Sequence, residues 1–420
     1  MARKILILLI SLATLTSVAM ARVIRVPDDQ PTIQAGIGAA EEGDQVLVAP
    51  GIYTGDGNRD IDFQGKAIEV ASDSGPGMTI IDCQGSESDP HRGFYFQHGE
   101  GRGSILRGFT IMNGLVYGVG KAGAGGAIFF TQASSPFIVG NIIVNNRANE
   151  WGGGVFCDID TEPLIGWNVF TSNAASVGGA ISCYEGSSPI IVSNTFTSNW
   201  ADVRGGAFFC ECDSTPVIFN CIFWGDSSGD IGPEIFVYGA CEVPITYSDV
   251  QGGWEGEGNI DADPMFAVPE HRDYRLLWGS PCIDAGSPDS SDPDGTPSEM
   301  GAFYFDQFEP LKIYLTPDTT IISRTETLGV TYTLINILPN SQTFYLQSDV
   351  FLPDGEPYPG NPIIGPMKVT MPGDKNVQRH ISHRIPGKAF LGIYTYRSRI
   401  GRPPHQLLDE DSFQFMVVME

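Results

Sequence analysis

Apolar and polar positions recur at a fixed interval between Gly125 and Val250. Gly125-Gly126-Ala127-Ile128-Phe129-Phe130 returns as Gly152-Gly153-Gly154-Val155-Phe156-Cys157. It returns again as Gly178-Gly179-Ala180-Ile181-Ser182-Cys183 and as Gly205-Gly206-Ala207-Phe208-Phe209-Cys210. A worn copy, Gly232-Pro233-Glu234-Ile235-Phe236-Val237, closes the series. The leading glycines lie 27, 26, 27 and 27 residues apart. Pro136, Pro163, Pro189, Pro216 and Pro244 keep the same step. So do Asn141, Asn168 and Asn194, with Cys221 and Asp249 in their column, and Asn146, Asn173, Asn199 and Asp226. A period of this size marks a stacked repeat architecture. Each copy holds two or three short runs rich in Ile, Val and Phe between Gly, Ser, Asn and Pro, which reads as strands and turns. No run has a helical period, so helical repeats fit badly. One coil of about 26 residues predicts a right-handed parallel β-helix, three strands and three turns to the coil, with coils roughly 4.8 Å apart.

Alternation then sorts the columns. Ile128, Val155, Ile181, Phe208 and Ile235 share a face with Phe130, Cys157, Cys183, Cys210 and Val237. Both columns are apolar and are expected inside. The intervening Phe129, Phe156, Ser182, Phe209 and Phe236 are expected to point outward. The paired glycines suit a turn of positive φ or a close neighbouring coil. The Asn columns suit turns whose amides bond along the stack, and Asn tolerates the left-handed conformation there.

Gly178-Gly179-Ala180-Ile181 with Asn194-Thr195-Phe196-Thr197-Ser198-Asn199 resembles the repeats of secreted β-helix proteins of the pectin-lyase-like superfamily. It is also similar to the Gly-Gly-Ala-Ile and Phe-x-x-Asn repeats of polymorphic outer-membrane proteins. The resemblance implies the fold and leaves function open, because that fold carries lyases, hydrolases, adhesins and phage spikes.

Three segments follow from the rest of the chain. Residues 1–21 read as a secretory signal, with Arg3 and Lys4 before an apolar stretch and Ala19-Met20-Ala21 as a cleavage site. A membrane anchor is the other reading of that stretch, and no later segment is apolar enough to span a bilayer. Residues 22–308 read as the β-helix. Ile33, Ile37 and Ala40 share one face of a short helix, capped by Asp28 or Asp29, that covers the open end of the core. Asn113 is expected in register with the later Asn columns. The run from Gly258 to Gly286, with Ser280-Pro281-Cys282-Ile283-Asp284-Ala285-Gly286, resembles the C-terminal segment of exported bacterial β-helix proteins with varied anchoring, and is expected to seal the second end. Residues 309–420 hold six or seven alternating strands, which predicts an immunoglobulin-like β-sandwich without the Cys…Trp…Cys framework.

Charge narrows the partners. The net charge is −26, and residues 22–308 carry 39 acidic against 12 basic side chains. That argues against nucleic acid or an anionic membrane as partner. Eight cysteines in an exported chain suggest bridges. Cys157, Cys183 and Cys210 sit in an inward column, however, and are expected as buried thiols, leaving Cys212–Cys241 as the candidate bridge. Asp292, Asp294 and Glu299 flank a Gly turn and suit Ca²⁺, though the usual calcium loop has more ligands and a plain loop is the other reading.

The candidates for chemistry are few. A carboxylate cluster is expected from Asp158, Asp160 and Glu162 with Glu185 one coil on, and a set of solvated turn residues is the alternative. The motifs of the superfamily's hydrolases and lyases are absent. Outward Phe129, Phe156, Phe209 and Phe236 suit stacking on sugar rings, or stacking on one another beneath a loop. The expectation is therefore a secreted or cell-surface protein that binds extracellular polysaccharide or a cell-envelope component, or serves as a scaffold. A polysaccharide lyase or glycoside hydrolase working in a groove along the helix is the second expectation.

Overall fold

A computed structural model describes residues 21–211, 213–239 and 241–419. All but the last residue of the expected signal, and Cys212 of the candidate bridge, lie outside the described residues. Among the described residues no helix is long and apolar enough to cross a membrane.

The repeats form a parallel β-helix. The Gly-Gly strands, from Ile61–Asp62 to Ile235–Val237, build one seven-stranded sheet. A second, nine-stranded sheet runs from Val23–Val26 to Ile245–Thr246, and a third, eight-stranded, from Gly51–Tyr53 to Asp249–Val250. Every pairing within them is parallel and in the register that the repeat predicts, with Ile128 on Val155, Val155 on Ile181 and Ile181 on Phe208. A fourth sheet of five strands, from Leu115–Val116 to Ser227–Ser228, adds a side to the expected three. It arises because the chain stays extended after the second Asn turn, where Arg147–Ala148, Ala174–Val177 and Trp200–Arg204 pair in order.

The interior is one apolar stack from Ile24 to Val250. Phe170, Phe196 and Phe223 lie face to face at 4.9 and 4.5 Å. Cys157 and Cys183 are free, buried thiols within it, and burial pushes Cys183 far above the usual thiol range. The leading glycines take positive φ, 69° at Gly125 and 61° at Gly152. The second glycines answer to close approach: a Cβ at Gly153 would lie 2.4 Å from the Gly179 carbonyl oxygen.

Two buried side-chain ladders hold the turns. Asn146 Nδ2 donates to Asn173 Oδ1 at 3.0 Å, Asn173 to Asn199 at 3.0 Å and Asn199 to Asp226 at 2.8 Å. Each acceptor oxygen also takes the backbone N–H of the residue one coil below. A parallel ladder runs through Asn141, Asn168 and Asn194 to Cys221. Three details differ from expectation. The left-handed residue is the one before each ladder Asn, namely Asn145, Ser172 and Ser198. Asn113 aligns with that position, since Gly114 N–H donates to Asn146 Oδ1. Beyond Cys221 the ladder continues to Ser248, not Asp249.

The helix Ile33–Ala39 covers the first end, with Ile33 and Ile37 buried on Val26 and Val46. Its N-cap is Thr32, which accepts from Ala35 N, in place of Asp28 or Asp29. At the far end Trp254 packs on the last coil and Ile260 bridges to Asp249. The start of the run from Gly258 to Gly286 thus lies on that end, with Ser248 N–H on Asn259 Oδ1 and Val250 N–H on the Ile260 carbonyl, and the remainder leaves it. The chain then runs back along the outer face of the third sheet, where Leu276, Cys282, Met300 and Phe305 cover Ile222 and the Tyr274 hydroxyl meets Thr171 at 3.0 Å. Those outward positions are Val, Ile and Thr and would otherwise be wet.

The C-terminal region has two sheets. Leu311–Pro317, Thr327–Asn336 and Lys375–Arg384 form an antiparallel three-stranded sheet. Five strands make the other, antiparallel except where Ile321–Ser323 joins its edge. Both contribute to one core that includes Leu315, Val330, Phe344, Tyr396 and Phe415. This region is bonded to the returning segment: Arg275 pairs with Asp273 and Asp411, and Asn376 takes and gives hydrogen bonds at Trp278.

The ladders yield two predictions. Asn173→Ala breaks two donated and two accepted side-chain bonds, and is expected to cost about 2–4 kcal/mol in urea unfolding. Asp226 and Glu234 are buried against each other; burial raises both, and the Glu234 carboxyl adds to the rise at Asp226. The folded state therefore holds a proton that the unfolded chain releases near pH 4. Stability is full below that pH and falls as pH rises toward the raised folded value. Asp226→Asn restores the ladder's usual amide, so the variant is expected to lose this decline and to gain about 1–3 kcal/mol at pH 8, read from melts across pH 4–8.

Candidate functional site

The first sheet places outward residues in rows. One step beyond the aligned Phe130, Cys157, Cys183 and Cys210 come Thr131, Asp158, Tyr184 and Glu211. Asp158 and Tyr184 are thus adjacent across coils, and Tyr184 N–H donates to the Cys157 carbonyl at 3.0 Å. Glu185 follows Tyr184 in a left-handed turn.

Lys121 completes the cluster from another part of the chain. Its Nζ lies 2.8 Å from Asp158 Oδ1 and 3.1 Å from Glu185 Oε2. The longer loop that carries it, with the 3-10 turn Gly120–Gly123, is pinned by Asn149 Oδ1 on Gly118 N–H and by Glu150 N–H on the Gly123 carbonyl. Asp158 is buried and takes a hydrogen bond from Thr131 Oγ1. Burial pushes its carboxyl above the usual range, against the pull of Lys121. Lys121 in turn is raised by its hydrogen bonds to Asp158 and Glu185, which outweigh its own desolvation.

The expected four-carboxylate cluster is therefore two carboxylates and a lysine. Asp160 is exposed, and its backbone N–H donates to the Glu185 carbonyl. Glu162 is exposed on the far side of the turn, over Ser135. The reason is local: Ile159 and Asp160 both take positive φ, so the chain reverses directly after Asp158.

The phenylalanine column does leave the helix core, but it is covered. Phe156 is buried beneath Trp151, with ring centroids 5.8 Å apart, and Trp151 stacks on Tyr184 at 5.6 Å. Phe129 lies under the Arg92 guanidinium at 5.0 Å. Phe209 is buried against Phe236, which lies under Arg204 at 5.2 Å. The fourth sheet supplies this cover, since Trp151 and Arg204 sit on its line. Phe129, Phe156 and Phe209 are a buried support and Phe236 is half-buried; of the rings that reach solvent on this face, Tyr238 is exposed, and Trp151 and Tyr184 are each half-buried. The latter two adjoin Asp158 and Glu185. Trp200 is exposed elsewhere, its indole N–H on Asp202.

Of the carboxylates of the expected Ca²⁺ loop, Asp292 and Glu299 meet each other while Asp294 is engaged with Thr296 and Gln307. Asp294 is held down to about 2, against some desolvation, by hydrogen bonds from Thr296 and from the Gln307 backbone. Glu299 is buried and pushed up to about 9 by burial and by Asp292. Among the described residues no three His, Cys, Asp or Glu side chains are grouped to hold a metal ion.

Counting along the repeat finds Tyr184 beside Asp158. No sequence signal finds Lys121, which comes from a loop longer than the repeat.

Residues 57–250 match the family model described as a right handed beta helix region. No curated protein matches the chain. Among solved structures, the alkylpurine DNA glycosylase AlkC of Pseudomonas fluorescens is 14% identical over 26% of this chain and 30% of its own, with a TM-score of 0.22. The sporulation control protein Spo0M of Bacillus subtilis is 12% identical over 26% of this chain and 50% of its own, TM-score 0.21. The CARDB domain of the PF1109 protein from Pyrococcus furiosus is 12% identical over 27% of this chain and 100% of its own, TM-score 0.20. The chain thus spans less than a third of the first structure and half of the second, and these likenesses carry nothing further.

The cluster makes a prediction of its own. Lys121→Met leaves the buried Asp158 carboxylate without its cation. The variant is expected to lose about 1–2 kcal/mol at pH 7.5. At pH 3.5 and below Asp158 is protonated and the difference closes, so melts at the two pH values check the pair.

Proposed function

We propose that this chain, whose residues 57–250 form a right-handed β-helix region, is a secreted or cell-surface protein that binds an extracellular polysaccharide on the face carrying Trp151 and Tyr184. The observation that carries the reading is the pairing of two half-buried, stacked rings with a fixed Lys121–Asp158–Glu185 cluster one residue away. Rings of this kind present a flat apolar surface to the C–H face of a sugar. Lys121 and Glu185, partly exposed and fixed by their pairing over the buried Asp158, present a donor and an acceptor to its hydroxyls. The buried Phe129 and Phe156 beneath keep the rings from turning. The coils supply a long, rigid support on which a chain of sugars meets several repeats.

Cleavage of such a chain is the second reading. It rests on Asp158, whose carboxyl is raised by burial and so is suited to donate a proton. Lys121 is held charged between two carboxylates, which removes it as a base and favours binding over lyase chemistry.

A panel of neutral and acidic polysaccharides, assayed by affinity electrophoresis and for new reducing ends, tests both. Retardation by at least one polysaccharide is expected, without new ends. Trp151→Ala is expected to weaken it about tenfold, the loss of a stacked ring. Retardation unchanged in Trp151→Ala moves the site elsewhere. New ends that vanish in Asp158→Asn make the chain an enzyme.

A further inference from the structure

The C-terminal region holds a cavity of about 760 Å³ between its two sheets. That lies within the ~300–1,000 Å³ typical of small-molecule sites. Its walls are apolar, with Leu328 from the three-stranded sheet facing Val350, Tyr394 and Phe415 from the five-stranded one. The floor is polar but closed on itself. Tyr396 donates to or accepts from Tyr332 and His383, Tyr332 meets Ser348 at 2.9 Å, and Ser348 meets Ser398 at 2.7 Å. Burial lowers His383 below the usual imidazole range, so the floor is neutral.

The mouth differs from the walls. Arg384 and Lys388 stand exposed there, and among the described residues no Asp or Glu lines the cavity. In a chain of net charge −26 this is a local reversal of sign. Phe390 and Leu391 beside the mouth are exposed, Phe390 by 66%. An exposed apolar lip over an apolar cavity marks a surface that another apolar body covers.

We propose that this cavity binds a single-chain amphiphile with an anionic head group, its alkyl tail between the sheets and its head at Arg384 and Lys388. The closed floor offers a ligand no unpaired polar group, so the deep end takes only tail. The paired cations at the mouth select the charge of the head. This site is separate from the β-helix face and does not depend on it.

Oleate is the probe, below its micelle concentration, titrated against the full chain by displacement of a fluorescent polyene fatty acid. Saturable binding of one oleate per chain is expected. Ala389→Trp, which fills the cavity, is expected to abolish it while the near-ultraviolet dichroism of the core tyrosines stays. Arg384→Glu with Lys388→Glu is expected to weaken oleate about tenfold or more and to leave oleyl alcohol unchanged. No saturable binding overturns the proposal. So does equal affinity for oleyl ammonium, or binding to anionic vesicles without binding of monomeric oleate.

Discussion

A parallel β-helix must bury the corners where each coil turns, and a buried corner leaves backbone groups that no strand can pair. The asparagine ladders answer that constraint. Each amide donates to a backbone carbonyl of the coil below and accepts from that coil, and Asn141, Asn146, Asn168, Asn173 and Asn199 also donate to a side-chain oxygen of the coil above. Asn141, Asn146, Asn168, Asn173, Asn194 and Asn199 are all buried, yet each has its donors placed. An unpaired buried amide costs about 1–3 kcal/mol, and six of them would rival the whole net stability of a domain. The geometry also fixes the step between coils, since an amide reaches only one coil up. Strand register, the thiol and phenylalanine stacks and the outward rows all inherit that step.

This is why so much of the fold was legible. Period, register and inward columns follow from one repeat, and the ladder Asn recurs within it. What failed to show lies where the chain leaves the repeat. The fourth sheet depends on residues such as Arg147 and Ser227, which have no shared chemistry and pair through backbone alone. Lys121 arrives from a loop longer than the repeat, so counting does not place it. The segment after Val250 looked like a lid because it follows the last coil, and only its start lies on that end. The outer face of the third sheet, with Val169, Thr195 and Ile222, required more cover than the end did. The Asp158 row was half legible: alternation places Tyr184 beside it, but not the reversal at Ile159 that turns Asp160 and Glu162 away.

The outer faces divide the labour. The third sheet is covered by the returning segment, which also ties the C-terminal sheets to the helix through Arg275, Asp411 and Asn376. The first sheet is covered by its own aromatic rings and by Arg92 and Arg204. The seat of the proposed sugar site is thus a place where the cover thins, over Trp151 and Tyr184. A binding face on such a stack gains rigidity without ligand-induced ordering, because the rings are already stacked and Lys121 is already paired.

The ladders also show how the stack is ended. A ladder of amides terminates only if its last member accepts without needing to donate upward. Cys221 does this in one column, with a weak sulfur acceptor and a Ser248 hydroxyl beyond it. Asp226 does it in the other, and its second oxygen then faces Glu234, whose other oxygen takes the N–H groups of Gly225 and Asp226. A carboxyl pair with one proton is the least costly way to close two acceptors against each other in a buried site. An amide at Asp226 would donate to Glu234 in place of the shared proton. The acid pair is therefore the terminus of this ladder written in side-chain chemistry, one coil before the last strand of the third sheet, Asp249–Val250.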